Sequence, residues 1–133
     1  FVTVLREAAS SERNFLLPQS QHGSACKRLH LFLRWMVRQD EVDPGGWDRI
    51  PARALVYPLD THMYRIGCGL GFTRRKQPDG RCALEITRAF REISPEDPVR
   101  YDFALTRLGI RADGDVNAFL RTCNAKFITP DGC

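Results

Sequence analysis

The sequence predicts a single all-α domain over residues 1–133, and three observations carry that reading. Apolar residues recur at helical spacing, most clearly at Leu29, Phe32, Leu33 and Met36. Start and stop residues bracket such segments: Ser24, Asp60 and Asp97-Pro98 where they begin, Gly71 and Gly109 where they end. No run of strand length carries a strand signal, and there is no internal repeat or low-complexity tract.

Taken in order, Val2 to Ala9 reads as a short amphipathic helix, broken by Ser10-Ser11-Glu12-Arg13. Phe15-Leu16-Leu17-Pro18 is apolar and extended, because the residue before proline avoids the helical region. Gln19 to Ser24 is a loop. Ala25 to Gln39 is the strongest helix, with Ser24 as its N-cap and Leu29, Phe32, Leu33 and Met36 facing inward. Lys27, Arg34 and Arg38 fall two and three turns apart on the opposite face.

Asp43-Pro44-Gly45-Gly46 is a turn, and Trp47 to Ile50 is a single helical turn stopped by Pro51. An apolar run, Ala54-Leu55-Val56-Tyr57, ends at Pro58, and Asp60 caps a helix that carries Met63, Ile66 and Leu70 inward to Gly71. Arg81 to Ile93 is amphipathic through Ala83, Ile86, Thr87, Phe90 and Ile93. Asp97-Pro98 supplies the cap and first residue of a helix running through Tyr101, Ala104, Leu105 and Leu108. Within it, Tyr101-Asp102-Phe103 reads as the lock against the core. Asn117 to Arg121 forms a last short helix.

Composition bounds the function classes. With 43% apolar residues the chain can build a modest core. The net charge of +4 is compatible with a polyanion partner, and its distribution is uneven: Lys27, Arg28, Arg34 and Arg38 cluster, as do Arg65, Arg74, Arg75 and Lys76. Five cysteines without a C-x-x-C pair argue against a disulfide framework and for a reducing cytoplasm. No apolar run reaches membrane-spanning length, and no signal peptide is visible. The chain opens on Phe1 and enters at once on a helix-like pattern, which reads as a fragment missing an N-terminal part.

The chemistry centres on Asp60. A carboxylate held at a helix mouth, with Lys27 and several arginines on the preceding helix, can stabilise a developing cation beside a phosphate backbone. The bland reading is an ordinary N-cap, and the two are compatible, since a cap fixes the carboxylate in place. His62 has no second ligand at metal-binding spacing, so no metal is expected. Trp35 and Trp47 read as core residues.

Four blocks together carry a resemblance: Ser24–Leu29, Phe32–Arg38, Pro58–His62 and Asp97–Phe103. Over roughly Phe15 to Ile110 the chain resembles an uncharacterised bacterial family of unknown function, allied to the helix-hairpin-helix DNA glycosylases, the superfamily of endonuclease III and the archaeal 8-oxoguanine glycosylases. That resemblance implies a helix-hairpin-helix glycosylase-like helical domain with Asp60 as the catalytic carboxylate. Lys27 corresponds to the lysine that opens the preceding helix in the archaeal type. It would attack the sugar C1′ and form a Schiff base, which requires a neutral amine. Arg28 is the cationic neighbour that would favour one.

His22, Gly23 and Ser24 are the nearest candidates for the phosphate-gripping hairpin, and Arg28, Arg34, Arg38 and Arg65 for further phosphate contacts, or for pairs with Asp40, Glu41 and Asp43. The chain departs from endonuclease III-like enzymes in that Gln39 to Ile50 contains no lysine, and it lacks the four-cysteine iron–sulfur loop, so no cofactor is implied. The expected activity is base-excision glycosylase, with or without strand-cutting lyase activity, on double-stranded DNA with a damaged base flipped into a pocket between helical layers. The expected protein is a cytoplasmic monomer. Two other readings stand beside it: a DNA- or RNA-binding module that kept the scaffold without the reaction, and a protein-interaction domain. If the fold is of this kind, Lys27 and Asp60 must converge on one cleft.

Overall fold

The computed structural model describes residues 23–124. The expected helix at Val2 to Ala9 and residue His22 lie outside them. Five α-helices are present among the described residues: α1 Lys27–Val37, α2 Thr61–Gly69, α3 Gly80–Ile93, α4 Asp102–Ile110 and α5 Val116–Asn124, with one 3-10 turn at Ala52–Ala54. Among those residues there is no strand, only a lone bridge between Gln39 and Pro44. The molecule is therefore all-α over this span.

Helix α3 is the spine of the core. Cys82, Ala83, Ile86, Thr87 and Phe90 form one buried stripe at helical spacing. Asp79 caps it, accepting from Cys82 N at 2.8 Å, and Arg75 holds Asp79 from the side at 2.9 Å. Met63 and Ile66 of α2 bury against the stripe, and Gly67 allows the close approach: a Cβ there would lie 2.5 Å from Ile86 Cδ1. Gly109 does the same for α4 on α2, where a Cβ would meet the His62 Cβ at 2.9 Å.

The apolar run before α2 is extended yet pairs with no strand. Its backbone donor at Tyr57 goes instead to Thr87 Oγ1 at 3.0 Å, whose hydroxyl donates to Ala83 O at 2.6 Å. A buried amide is thus satisfied by a helix side chain. The Tyr57 ring stacks on Phe90 at 4.5 Å between centroids.

Three expectations from the sequence are corrected. First, α1 is rolled. Its inward face carries Arg34, with Leu33 and Val37 at the core edge, while Phe32 is 40% exposed and Arg34 only 3%. Charge pairing with carboxylates from other elements sets this roll. Second, Ser24 does not cap α1. The N-cap is Cys26 in the left-handed region at φ 47, and Ser24 Oγ accepts from Cys26 N at 3.2 Å. Third, Asp97-Pro98 does not start a helix. Residues 97–102 form successive tight turns through Arg100 N to Asp97 O and Asp102 N to Val99 O, and α4 begins at Asp102.

The turn at Asp43-Pro44-Gly45-Gly46 forms, with Gly45 at φ +72 where a Cβ would strike Gln39. Pro51 opens the following 3-10 turn at Ala52–Ala54 rather than closing one at Trp47 to Ile50. Trp35 is 42% exposed and so is not a core residue.

Candidate active site

Asp60 precedes the first residue of α2 in an extended conformation, and its Oδ1 accepts from Met63 N at 2.8 Å. One carboxylate oxygen is thereby fixed to the helix N-terminus. The other, Oδ2, is left for a partner and accepts from Lys27 Nζ at 3.2 Å across 33 residues of sequence. The two side chains therefore meet, as one exposed contact. Lys27 is 48% exposed and Asp60 14%, so the pair sits at the surface with the carboxylate recessed.

Two turns along the same face of α1 the setting changes. Arg34 donates through Nε and Nη2 to Asp43 Oδ1 at 3.1 and 2.9 Å, and through Nη1 to Asp102. Arg38 donates to Asp43, to Asp40 at 2.7 Å and to Asp97 at 2.9 Å. Asp40 also accepts from Val42 N and Asp43 N, and these backbone bonds, with Arg38, hold its carboxyl below the usual range. Burial pushes the Asp102 carboxyl up to about 6. Arg34 opposes the shift and the nearby charge of Asp60 reinforces it. Tyr57 is fully buried beside this cluster, and burial and the charges of Asp102 and Asp97 raise its hydroxyl above the ordinary tyrosine value.

Of the residues expected to touch nucleic acid, Arg34 is corrected: its guanidinium is enclosed and consumed by Asp43 and Asp102. Arg38 is likewise committed to three carboxylates. Both follow the alternative of pairing with acidic neighbours. Arg28 and Arg65 are exposed on the surface, Arg65 with Asn117 at 3.5 Å. Gly23 is exposed at φ +78, and its carbonyl accepts from Gly80 N at 2.9 Å, which ties this turn to the start of α3. Ser24 is half-buried next to it. His62 is an exposed helix residue against Gly109.

Sequence reasoning did not single out Asp102 as a partner of α1. Tyr101 and Phe103, expected with Asp102 to lock this helix against the core, are corrected: they are 40% and 39% exposed, and only Asp102 between them is buried, on Arg34. Among the described residues no group of three His, Cys, Asp or Glu could hold a metal ion, and no helix is long and apolar enough to cross a membrane.

A fixed carboxylate oxygen beside a lysine amine can stabilise positive charge and exchange a proton with the amine. No curated protein matches the chain. No solved structure matches it either. The model of one family, described as a protein of unknown function (DUF2400), matches residues 1–111, and the chain belongs to that family.

Proposed function

We propose that the protein is a base-excision DNA glycosylase with Schiff-base lyase activity, related to the helix-hairpin-helix glycosylases. The observation that carries the proposal is the meeting of Lys27 Nζ and Asp60 Oδ2 at 3.2 Å, from residues far apart in the chain. Stability is a weak reason for such a pair, because a surface ion pair contributes about 0–1 kcal/mol. The cap alone, through the other oxygen, contributes about 1 kcal/mol.

In the proposed reaction, Asp60 stands beside the deoxyribose as the N-glycosidic bond lengthens and offsets the oxocarbenium charge. It takes a proton from the Lys27 ammonium as the substrate excludes water and passes it on to the departing base, so that the carboxylate is again charged. The neutral amine attacks C1′, and the base leaves with the bonding electron pair and takes up that proton. Loss of a further proton and ring opening leave an imine between Lys27 and the sugar. Removal of a C2′ proton then expels the 3′ phosphate, and water releases Lys27. Exposed Arg28 and Arg65 and the Gly23-Ser24 turn are the candidates for backbone phosphate.

The test is sodium borohydride trapping of the protein on duplexes carrying 8-oxoguanine, uracil or an abasic site, with Lys27→Gln and Asp60→Asn beside it. The proposal expects a covalent adduct that is lost in Lys27→Gln and greatly slowed in Asp60→Asn. No adduct and no base release on any duplex would sink it. DNA affinity with a steep salt dependence would then favour a binding module, and its absence a protein-interaction domain.

A further inference from the structure

A lysine stem does not hold its own nitrogen in place, because four rotatable bonds separate Nζ from the helix. The position of Lys27 therefore depends on how α1 lies against α2. Arg34 is the residue on the same face of α1 that is fixed. Its planar guanidinium is buried, bound twice to Asp43 and again to Asp102 in the first turn of α4. Helix α4 packs on α2, with Gly109 directly over His62. The contacts close a ring: Asp102 to Arg34, along α1 to Lys27, across to Asp60, and through α2 back to α4.

We propose that Asp102 is a positioning residue that acts through Arg34 to set α1 against α2, so that Lys27 Nζ meets Asp60. The inference rests on the catalytic reading of that pair and adds to it a control outside the reacting groups. The charged groups around Asp102 are Arg34 on α1, Asp43 and Arg38 beyond it, Asp60 at the start of α2 and Asp97 in the turns before α4. Tyr57 and Thr106 are the neutral neighbours. Burial first, and then the charge of Asp60, raise the Asp102 carboxyl to about 6 against the opposing pull of Arg34, so Asp102 is the site that takes up a proton. A protonated Asp102 makes a weaker, neutral bond to Arg34. The clamp therefore slackens as pH falls through that value.

The experiment follows the ammonium resonance of Lys27 by NMR in the full chain, from about 1 unit below to about 1 unit above the Asp102 midpoint. It is paired with borohydride trapping of Lys27 on abasic-site DNA over the same range, for wild type and Asp102→Asn. The expected result is a Lys27 signal that titrates with Asp102 in wild type and is flat in the variant. Trapping by the variant should fall on the order of 10²-fold, the effect of misplacing a reacting group by about 1 Å, and should lose its pH dependence in this window. A wild-type Lys27 signal that does not respond there overturns the proposal. So does a titration that survives Asp102→Asn. If Asp102→Asn fails to fold, the wild-type titration decides. If wild type responds in the NMR experiment yet forms no adduct, the positioning role holds and the catalytic reading fails.

Discussion

The two ends of one helix face carry the same kind of contact with opposite character. At the start of α1, Lys27 meets one oxygen of one carboxylate at 3.2 Å and is half exposed. Two turns later, Arg34 is enclosed, with donors on two aspartates that are themselves 0% and 5% exposed at the side chain. Residue choice follows the setting. The fixed fork of a guanidinium engages two carboxylates at once and stays charged when buried, whereas an ammonium is a mobile point charge that can lose its proton. The buried end orders the helix, and the open end leaves the Lys27 ammonium within reach of solvent. The comparison teaches that the sign and spacing of charges along a helix do not tell a scaffold from a site. Burial and the number of partners do.

The sharpest way to break this comparison is to remove the buried cation. Arg34→Met keeps the helix propensity of α1 but leaves Asp43 and Asp102 buried without it, which should cost about 3–5 kcal/mol. Chemical denaturation should show a clear drop in midpoint, and Lys27→Met should show almost none. A cost for Arg34→Met below about 1 kcal/mol would mean that both ends are surface pairs, and the contrast would be gone.

How much of this was legible before the fold was known depended on the range of the interactions. Helices α2 and α3 were readable because their signals are local: the Asp60 cap and the stripes of Met63 with Ile66 and of Ile86 with Phe90 all lie within a few turns. The roll of α1 was not. Apolar periodicity assigns charged residues to the outside, and here Arg34 is drawn in by Asp43 and by Asp102, the latter 68 residues away. Asp97 was likewise misplaced as a helix cap: its Oδ2 goes to Arg38, 59 residues away, and its Oδ1 meets no backbone donor. The convergence of Lys27 with Asp60 was expected from a family resemblance. Neither spacing nor composition contains it.

Asp102 offers an intermediate test, because its charge is buried yet close to its neutral form. Its carboxyl lies at about 6 when folded against an ordinary 3.8, so the folded state favours the protonated form. The associated stability is fully present below the ordinary value and is lost as pH rises through about 6, by up to roughly 3 kcal/mol. Asp102→Asn has no such charge to ionise. Relative to that variant, wild type should lose stability between about pH 4 and about pH 6 in urea titrations. A constant difference across that window would show that Arg34 compensates the buried charge fully. The buried end would then be a stabilising device as well as an ordering one.

The smallest effect on stability belongs to the residue with the largest proposed role. Lys27→Gln removes a half-exposed cation from a pair worth about 0–1 kcal/mol and leaves the Asp60 Oδ1 bond to Met63 N untouched. Thermal unfolding should move by about 0.5 kcal/mol or less. Asp60→Ala removes that capping bond too and should cost about 1 kcal/mol more. The difference separates the two functions of one carboxylate: Oδ1 holds the helix and Oδ2 faces the amine. A Lys27→Gln variant that unfolds as readily as Asp60→Ala would place Lys27 in the scaffold and not in the site. If it is as stable as wild type yet cannot be trapped on abasic DNA, the pair is held at the open end of α1 for its chemistry.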